Sequence, residues 1–324
     1  MEIVIERGRT VPFEALPPRS VALDGYVLGP QIDAEGERYS FDHHGDCVRH
    51  ATRSTAEQVH DAIAMGLKPD GLSVLLNDID LDTALAVWLL RHRERAQEPL
   101  VNRLVLYAGL LDAHCGAYPL SGDMPTIVEW LSEPETRARA DGSYYQLDTA
   151  GLRALLDEVG RRISVYADGA SHAYTAHYRA DSRYEVVCRG RGCSVVRSVG
   201  TRAHAKVFAD GHERVVIWTP LLDGTHAYTV AKRSEFVKEF PVPEILAALG
   251  GIEPGWGGGS TIGGAPRNAD GSRSRLTPQQ VFEAVERVLG ASAEATGSAA
   301  RAALTPATAS IMVRRSRGGC REEV

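Results

Sequence analysis

Three short stretches of this 324-residue chain gather side chains that can hold a metal and move a proton. Asp42-His43-His44 follows an aromatic run at 38–41. Asp78, Asp80 and Asp82 follow an apolar run at 72–76. Asp112 and His114 follow an apolar run at 104–110, and Asp24 lies inside a fourth stretch, 21–28. In open α/β sheets ligands bind beyond the carboxyl ends of the strands, so runs read as strands aim these groups at one edge. Carboxylates with imidazoles suit Mn²⁺ or Mg²⁺, because oxygen-rich sites favour hard cations and histidine extends the choice to Mn²⁺ or Fe²⁺. Four or more carboxylates in one cleft repel each other, and two divalent cations would neutralise them. The plainer alternative for Asp78, Asp80 and Asp82 is a strand-to-helix loop with Asp82 as N-cap. Their company with Asp-His-His favours the metal reading. Asp112 taken alone reads more readily as a cap than as a ligand.

A second chemistry-bearing segment is Gly255-Trp256-Gly257-Gly258-Gly259-Ser260, followed by Ile262-Gly263-Gly264-Ala265-Pro266-Arg267. Gly257, Gly258, Gly259, Gly263 and Gly264 permit close backbone approach and positive φ, so that N–H groups can face a phosphate or carboxylate. Trp256 offers a face for stacking a base, and Arg267 a fork for a phosphate. A flexible linker is the alternative. The segment's place between two helical stretches, with Trp256 and Arg267 inside it, argues against that. Cys188 and Cys193 flank Arg189-Gly190-Arg191-Gly192; lacking a second pair, they read as reduced thiols rather than a zinc site. The arginines around them (Arg179, Arg183, Arg189, Arg191, Arg197, Arg202) fit a phosphate-tracking surface or a solvated basic face equally.

The elements that must position these groups divide the chain. In the first half, 21–28 and 38–41 flank the turn sequence Asp33-Ala34-Glu35-Gly36, and 55–65 has helical spacing stopped by Gly66. A buried strand at 72–76 leads to a helix at 83–93, and 104–110 reads as a further strand. This alternation predicts a doubly wound, mostly parallel sheet. A helix at 151–166 joins the halves. The second half reads as a smaller α+β domain: β runs at 184–187, 194–199, 206–209, 214–218 and 227–230, a hairpin at Asp210-Gly211, and helices at 244–249 and 279–289. From about 291 the chain is Ala-, Ser-, Thr- and Arg-rich with little periodicity and reads as a disordered tail.

Composition narrows the classes. Hydrophobic residues are 44% and charged residues 24%, which excludes wholesale disorder and fibrous repeats. A net charge of −6 excludes a general nucleic-acid glue. No apolar run approaches the roughly 18 residues of a membrane span. The charged start, Met1-Glu2-Ile3-Val4-Ile5-Glu6-Arg7, does not read as a signal peptide. Five cysteines do not make a disulfide framework, so a reducing cytoplasm is expected.

Phe41-Asp42-His43-His44 together with Asn77-Asp78-Ile79-Asp80-Leu81-Asp82 resembles the DHH phosphoesterase superfamily, which includes the RecJ-type exonucleases, manganese-dependent inorganic pyrophosphatases and oligoribonuclease/pAp phosphatases. The glycine-rich segment resembles the substrate loop of the associated DHHA1 domain. The likeness spans residues 20–285 but rests on these short motifs. In the family the aspartate motif precedes Asp-His-His, whereas here it follows, a permuted order that a sheet accommodates because strand position matters more than chain order. The histidine that opens the motif in pyrophosphatases is absent.

Carried over, the resemblance implies Asp78, Asp80 and Asp82 as metal ligands, Asp24 as a bridging carboxylate, His43 as ligand to a second metal and Asp112 as closing ligand. It makes His44 the group facing substrate phosphate and Asp42 the residue orienting an imidazole. Trp256, Arg267 and the five glycines become substrate contacts. The expectation is a DHH-like metal-binding domain at 1–150, a connecting helix at 151–170, a DHHA1-like domain at 171–290 and a tail at 291–324. The expected function is a phosphohydrolase using two Mn²⁺ (or Mg²⁺) on a nucleotide or short single-stranded nucleic acid. The alternative is a degenerate DHH-fold nucleotide-binding or regulatory protein. No membrane partner is expected, and a homodimer is compatible.

Overall fold

The first sheet is built from four-residue strands whose alternate side chains enter two different packed layers. The computed structural model describes residues 1–303 apart from 34, 36, 115, 180, 191, 201, 269 and 270, with side chains to residue 291. Two residues of the Asp33–Gly36 turn, Arg191 of the cysteine loop, and 304–324 of the expected tail therefore lie outside the described residues.

Strands β1 (Glu2–Ile5), β2 (Ser20–Leu23), β3 (Gln31–Ile32), β4 (Arg38–Phe41) and β5 (Ser73–Leu76) form a sheet in the order β1-β5-β2-β4-β3. All neighbours are parallel except β3 and β4. Ile5, Val21, Leu23, Val74 and Leu76 face α1 (Thr55–Ala64), α2 (Leu81–Arg91), α3 (Pro99–Ala113), α4 (Met124–Ala140) and α5 (Thr149–Ala167) in one core. The opposite face, with Ala22 and Leu75, is covered by Leu16, Tyr26 and Val27. The sheet is mostly parallel, as expected, but it is not doubly wound, since five helices share one face and a coil layer covers the other. Pro12, Pro17 and Pro18 lie in that layer around a single 3₁₀ turn at Phe13–Ala15, where ring-locked backbone without N–H donors cannot sustain an α-helix.

The second sheet has helices on both faces. After α6 (His172–Thr175) come β6 (Tyr184–Arg189), β7 (Ser194–Ser198), α7 (Ala203–Ala209), β8 (Arg214–Pro220) and β9 (His226–Lys232). Then follow α8 (Val242–Gly250), β10 (Gly257–Gly258), β11 (Ile262–Gly264) and α9 (Pro278–Ala303). The order is β10-β11-β9-β8-β7-β6. Val195, Val216 and Val230 pack with Ile245, Leu249, Val281 and Val285, while Val196, Val215 and Ile217 pack with Val207 and Phe208.

Three sequence expectations are corrected. Residues 104–110 belong to α3: Pro99 starts it at a position where its missing N–H is not needed, and burial of Leu104, Val105 and Ala108 hides the amphipathic pattern. Residues 206–209 belong to α7, the crossover that parallel strands β7 and β8 require, so Asp210-Gly211 ends a helix rather than turning a hairpin. Helix α9 continues to Ala303, past the expected start of the tail, through an alanine-rich run that carries it across Gly297. Met1–Leu289 form one compact unit and Gly290–Val324 a second. Among the described residues no helix is long and apolar enough to cross a membrane.

Candidate metal centre and cleft

Three parallel strands end level with one another. Leu23 is paired with Phe41 on one side and Leu76 on the other, so Asp24, Asp42 and Asn77 leave the sheet side by side. The Asp-His-His and aspartate motifs thus share one carboxyl edge although about 35 residues separate them along the chain.

Asp24 has φ of +50°, a left-handed conformation that aspartate tolerates better than most residues. Its carboxylate accepts from Thr55 Oγ1 at 3.0 Å and Thr83 Oγ1 at 3.2 Å, which fixes it between α1 and α2. Oδ1 lies 3.7 Å from His43 Nε2 and 3.6 Å from His44 Nδ1. Asp42 is fully buried and accepts from the backbone N–H groups of Gly29 (2.7 Å) and His44 (2.8 Å) and faces His44 Nδ1 at 2.7 Å. It therefore orients the His44 imidazole. Burial pushes the Asp42 pKa up, but these partners outweigh it and hold it below the usual carboxylate value. Burial pulls His44 down, yet the Asp24 and Asp42 carboxylates prevail and push it up to about 9.

His43 is the unusual residue of the site. It is fully buried, and neither ring nitrogen makes an aligned hydrogen bond to a described residue. Nε2 comes within 2.8 Å of Asp112 Oδ2, close enough to bond, but the two are not aligned for it. Asp112 sits at the end of α3, not at a strand end; burial opposes its charge, but His43 and then Arg49 hold its pKa down. Asp82 accepts on Oδ1 from Ser54 Oγ (2.9 Å) and Ala56 N (3.2 Å), and on Oδ2 from Thr55 N (2.8 Å). It ties the N-terminus of α1 to α2 and keeps one lone pair of Oδ2 unclaimed. Asp80, not Asp82, is the N-cap of α2, accepting from Thr83 N at 2.9 Å. Burial, then the Asp24 and Asp112 charges, push the Asp80 pKa well up; burial, then Asp112, Asp24 and Asp80, do the same to Asp82.

One ligand-type atom each from His43, Asp82 and Asp112 lies within 4.8 Å of the others, and the same holds for Asp24, His43 and His44. Buried carboxylates that crowd one another beside an unbonded imidazole fit a divalent cation with mixed oxygen and nitrogen ligands.

Asp78 is placed differently from the expected ligand. Its carboxylate accepts from Arg139 Nη2 (3.0 Å), Arg267 Nη1 (2.7 Å), Ile79 N (2.9 Å) and the Tyr144 hydroxyl. It joins the first half of the chain to the glycine-rich segment. Burial opposes its charge, but the two guanidiniums hold its pKa well below the usual range. A cleft of about 430 Å³ is lined by His44, Asp80 and Asp112 together with Arg139, Arg202 and Arg267.

The glycine-rich segment is a β-hairpin, and most of its glycines answer to packing. A Cβ on Gly258 would meet Gly263 Cα at 2.2 Å; one on Gly263 would meet Leu246 Cδ1 at 2.2 Å; one on Gly264 would meet Tyr228 O at 2.9 Å. Gly257 and Gly259 have open space instead. Trp256 is 9% exposed, stacks on Tyr228 at 5.6 Å and donates to Glu253 Oε2 at 3.2 Å. Its face belongs to the core, which corrects the expected stacking role. Ile262 and Arg267 are the parts of the segment that line the cleft.

Sequence reasoning missed Thr55, Thr83 and Arg139, and placed Arg202 only in a basic surface, whereas it lines the cleft. The Ser54/Glu57 capping box was a readable signal for the first of these. Comparison with protein-family models, with curated proteins and with solved structures finds no match to this chain.

Proposed function

We propose that the chain is a divalent-cation-dependent phosphohydrolase acting on a nucleotide or the end of a short single-stranded oligonucleotide. The observation that carries this reading is His43, buried with both ring nitrogens unbonded among Asp24, Asp82 and Asp112. Those four residues would hold Mn²⁺ or Mg²⁺, two ions being the expected number, with Asp80 adding negative charge. Bound cations of this kind supply Lewis acidity towards a phosphoryl oxygen and make a water acidic near neutral pH. The chain's own residues do the rest. His44, oriented by Asp42 and lining the cleft, donates to a phosphoryl oxygen or to the departing alkoxide. Arg202 and Arg267 orient the phosphate by charge-assisted bonds. Thr55 and Thr83 hold Asp24 in place. The resemblance of the motifs to the DHH superfamily, with a DHHA1-like second half, points the same way.

A binding protein without turnover is the second reading, and the capture of Asp78 by two guanidiniums favours it by removing one expected ligand. Metal analysis combined with a Mn²⁺ screen on pAp, dinucleotides, oligoribonucleotides, bis-p-nitrophenyl phosphate and pyrophosphate separates the two. Turnover lost in His43→Ala supports the hydrolase; metal without turnover supports the binding protein. No divalent ion above background after Mn²⁺ loading refutes the metal site itself.

A further inference from the structure

A second cavity of about 430 Å³ shares Asp78, Arg139 and Arg267 with the cleft but is lined by none of Asp24, His43, Asp80, Asp82 and Asp112. Arg7, Arg273, Tyr145 and Asp148 also line it, Asp148 being engaged as the N-cap of α5 through Gly151 N. Arg139 and Arg267 both pair with Asp78. Arg7 and Arg273, by contrast, form no ion pair among the described residues. Arg7 donates to the backbone carbonyls of Tyr144, Tyr145 and Leu147. Arg273 is 8% exposed, donates through Nη2 to Ala265 O at 3.2 Å, and has a buried Nε with no hydrogen-bond partner among the described residues. Its guanidinium lies over the Tyr145 ring, 5.5 Å from the centroid.

A guanidinium taken out of water without a counter-charge is strongly unfavourable unless something completes it. Burial, with Arg267 and Arg139 nearby, pulls the Arg273 pKa down to about 10, so the group stays cationic at neutral pH. Two unmatched cations and a planar fork suit a doubly charged, tetrahedral anion better than a carboxylate. The volume is in the range of small-ligand pockets.

We propose that this cavity is an anion site separate from the metal cleft, taking a phosphate monoester group on Arg273 and Arg7, the two guanidiniums of its wall that form no ion pair among the described residues. The group can come from free phosphate or from a nucleotide, whose base the exposed part of Tyr145 could face.

Calorimetric titration of the full chain as purified, with inorganic phosphate and separately with AMP, tests this. Phosphate binding should persist in His44→Ala, which alters only the cleft, and weaken at least about 10-fold in Arg273→Met, the loss of one charge-assisted contact. Arg273→Lys, which keeps the charge without the fork, should fall between and guards against a misfolded Met variant. Tighter binding of AMP, with the difference lost in Tyr145→Ala, identifies the nucleotide; equal affinities identify free phosphate. Wild-type binding in Arg273→Met, binding lost in His44→Ala instead, or no binding of either probe up to about 10 mM overturns the proposal. Since Arg273 does not line the cleft, that result would leave the hydrolase reading untouched.

Discussion

The substitution Asp78→Asn separates a metal ligand from an anchor for arginines. The new side chain's amide oxygen would still accept from Ile79 N and Tyr144, but the charge shared by Arg139 and Arg267 would be gone. Arg139 would keep Glu135, 2.7 Å away, as its one remaining carboxylate. Losing a charge-assisted bond at a largely buried guanidinium costs about 1.5–3 kcal/mol. Arg267 is 61% exposed, so its contact adds only about 0.2–1 kcal/mol. The expected loss is about 2–4 kcal/mol, or roughly 3–6 °C in Tm for a chain of this size. Because the folded-state pKa of Asp78 is depressed, its contribution is present above the unfolded value near 4 and is lost as pH falls below it. The variant should therefore show a shallower acid limb than the wild type. Thermal and urea unfolding measure the first effect, an acid titration the second, and metal analysis the third: bound Mn²⁺ per chain should not change. A variant that keeps its Tm but loses an ion would show that Asp78 is a ligand and that its arginine contacts are incidental.

Thr83→Val removes a hydroxyl from Asp24 and should weaken Mn²⁺ affinity by about 10- to 100-fold while the fold, followed by circular dichroism, is kept; unchanged affinity refutes it. Burial holds the His204 pKa down at about 4, against an unfolded value of 6.5, so its neutral form stabilises the chain above about pH 6.5 and that stability, up to about 3 kcal/mol, is lost as pH falls towards 4. His204→Gln should flatten the pH dependence of urea unfolding in that window, and an identical slope refutes the assignment. Gly263→Ala should destabilise by about 1–3 kcal/mol through overpacking against Leu246, whereas Gly257→Ala, with open space around it, should be neutral in the same unfolding assay. Equal effects would mean that the segment's glycines serve something other than packing.

What could be read from the sequence was set by how one-sided each element's environment is. The 72–76 strand was legible because β5 is buried on both faces and so forms an unbroken apolar run. The same apolar density at 104–110 misleads, because α3 is packed on several sides and a short buried helix carries no period that distinguishes it from a strand. Helix α4 is not legible at all: Pro134 interrupts its pattern, and with it go Arg139 and Glu135, one turn apart on the wall of the cleft. Asp24, His43, Asp80, Asp82 and Asp112 were legible as types and do gather at one edge. Their division of labour was not, since only the fold shows that Asp80 caps α2 and that Asp78 faces arginines. Trp256 misleads because residue type gives an aromatic face but not which side of a hairpin it packs on.

The bonds from Thr55 N and Ala56 N to Asp82 make two ordinary amides into reporters of the site. Amide proton chemical shifts follow the strength of the hydrogen bond they donate. Any change in the charge or engagement of the Asp82 carboxylate would therefore be recorded at the first turn of α1, in residues that bear no catalytic group themselves. Hydrogen exchange at the same two positions would follow local opening of α1 away from α2. The two resonances would thus separate occupancy of the centre from loosening of the helix pair in a single isotopically labelled sample, without any substrate and without knowing what that substrate is.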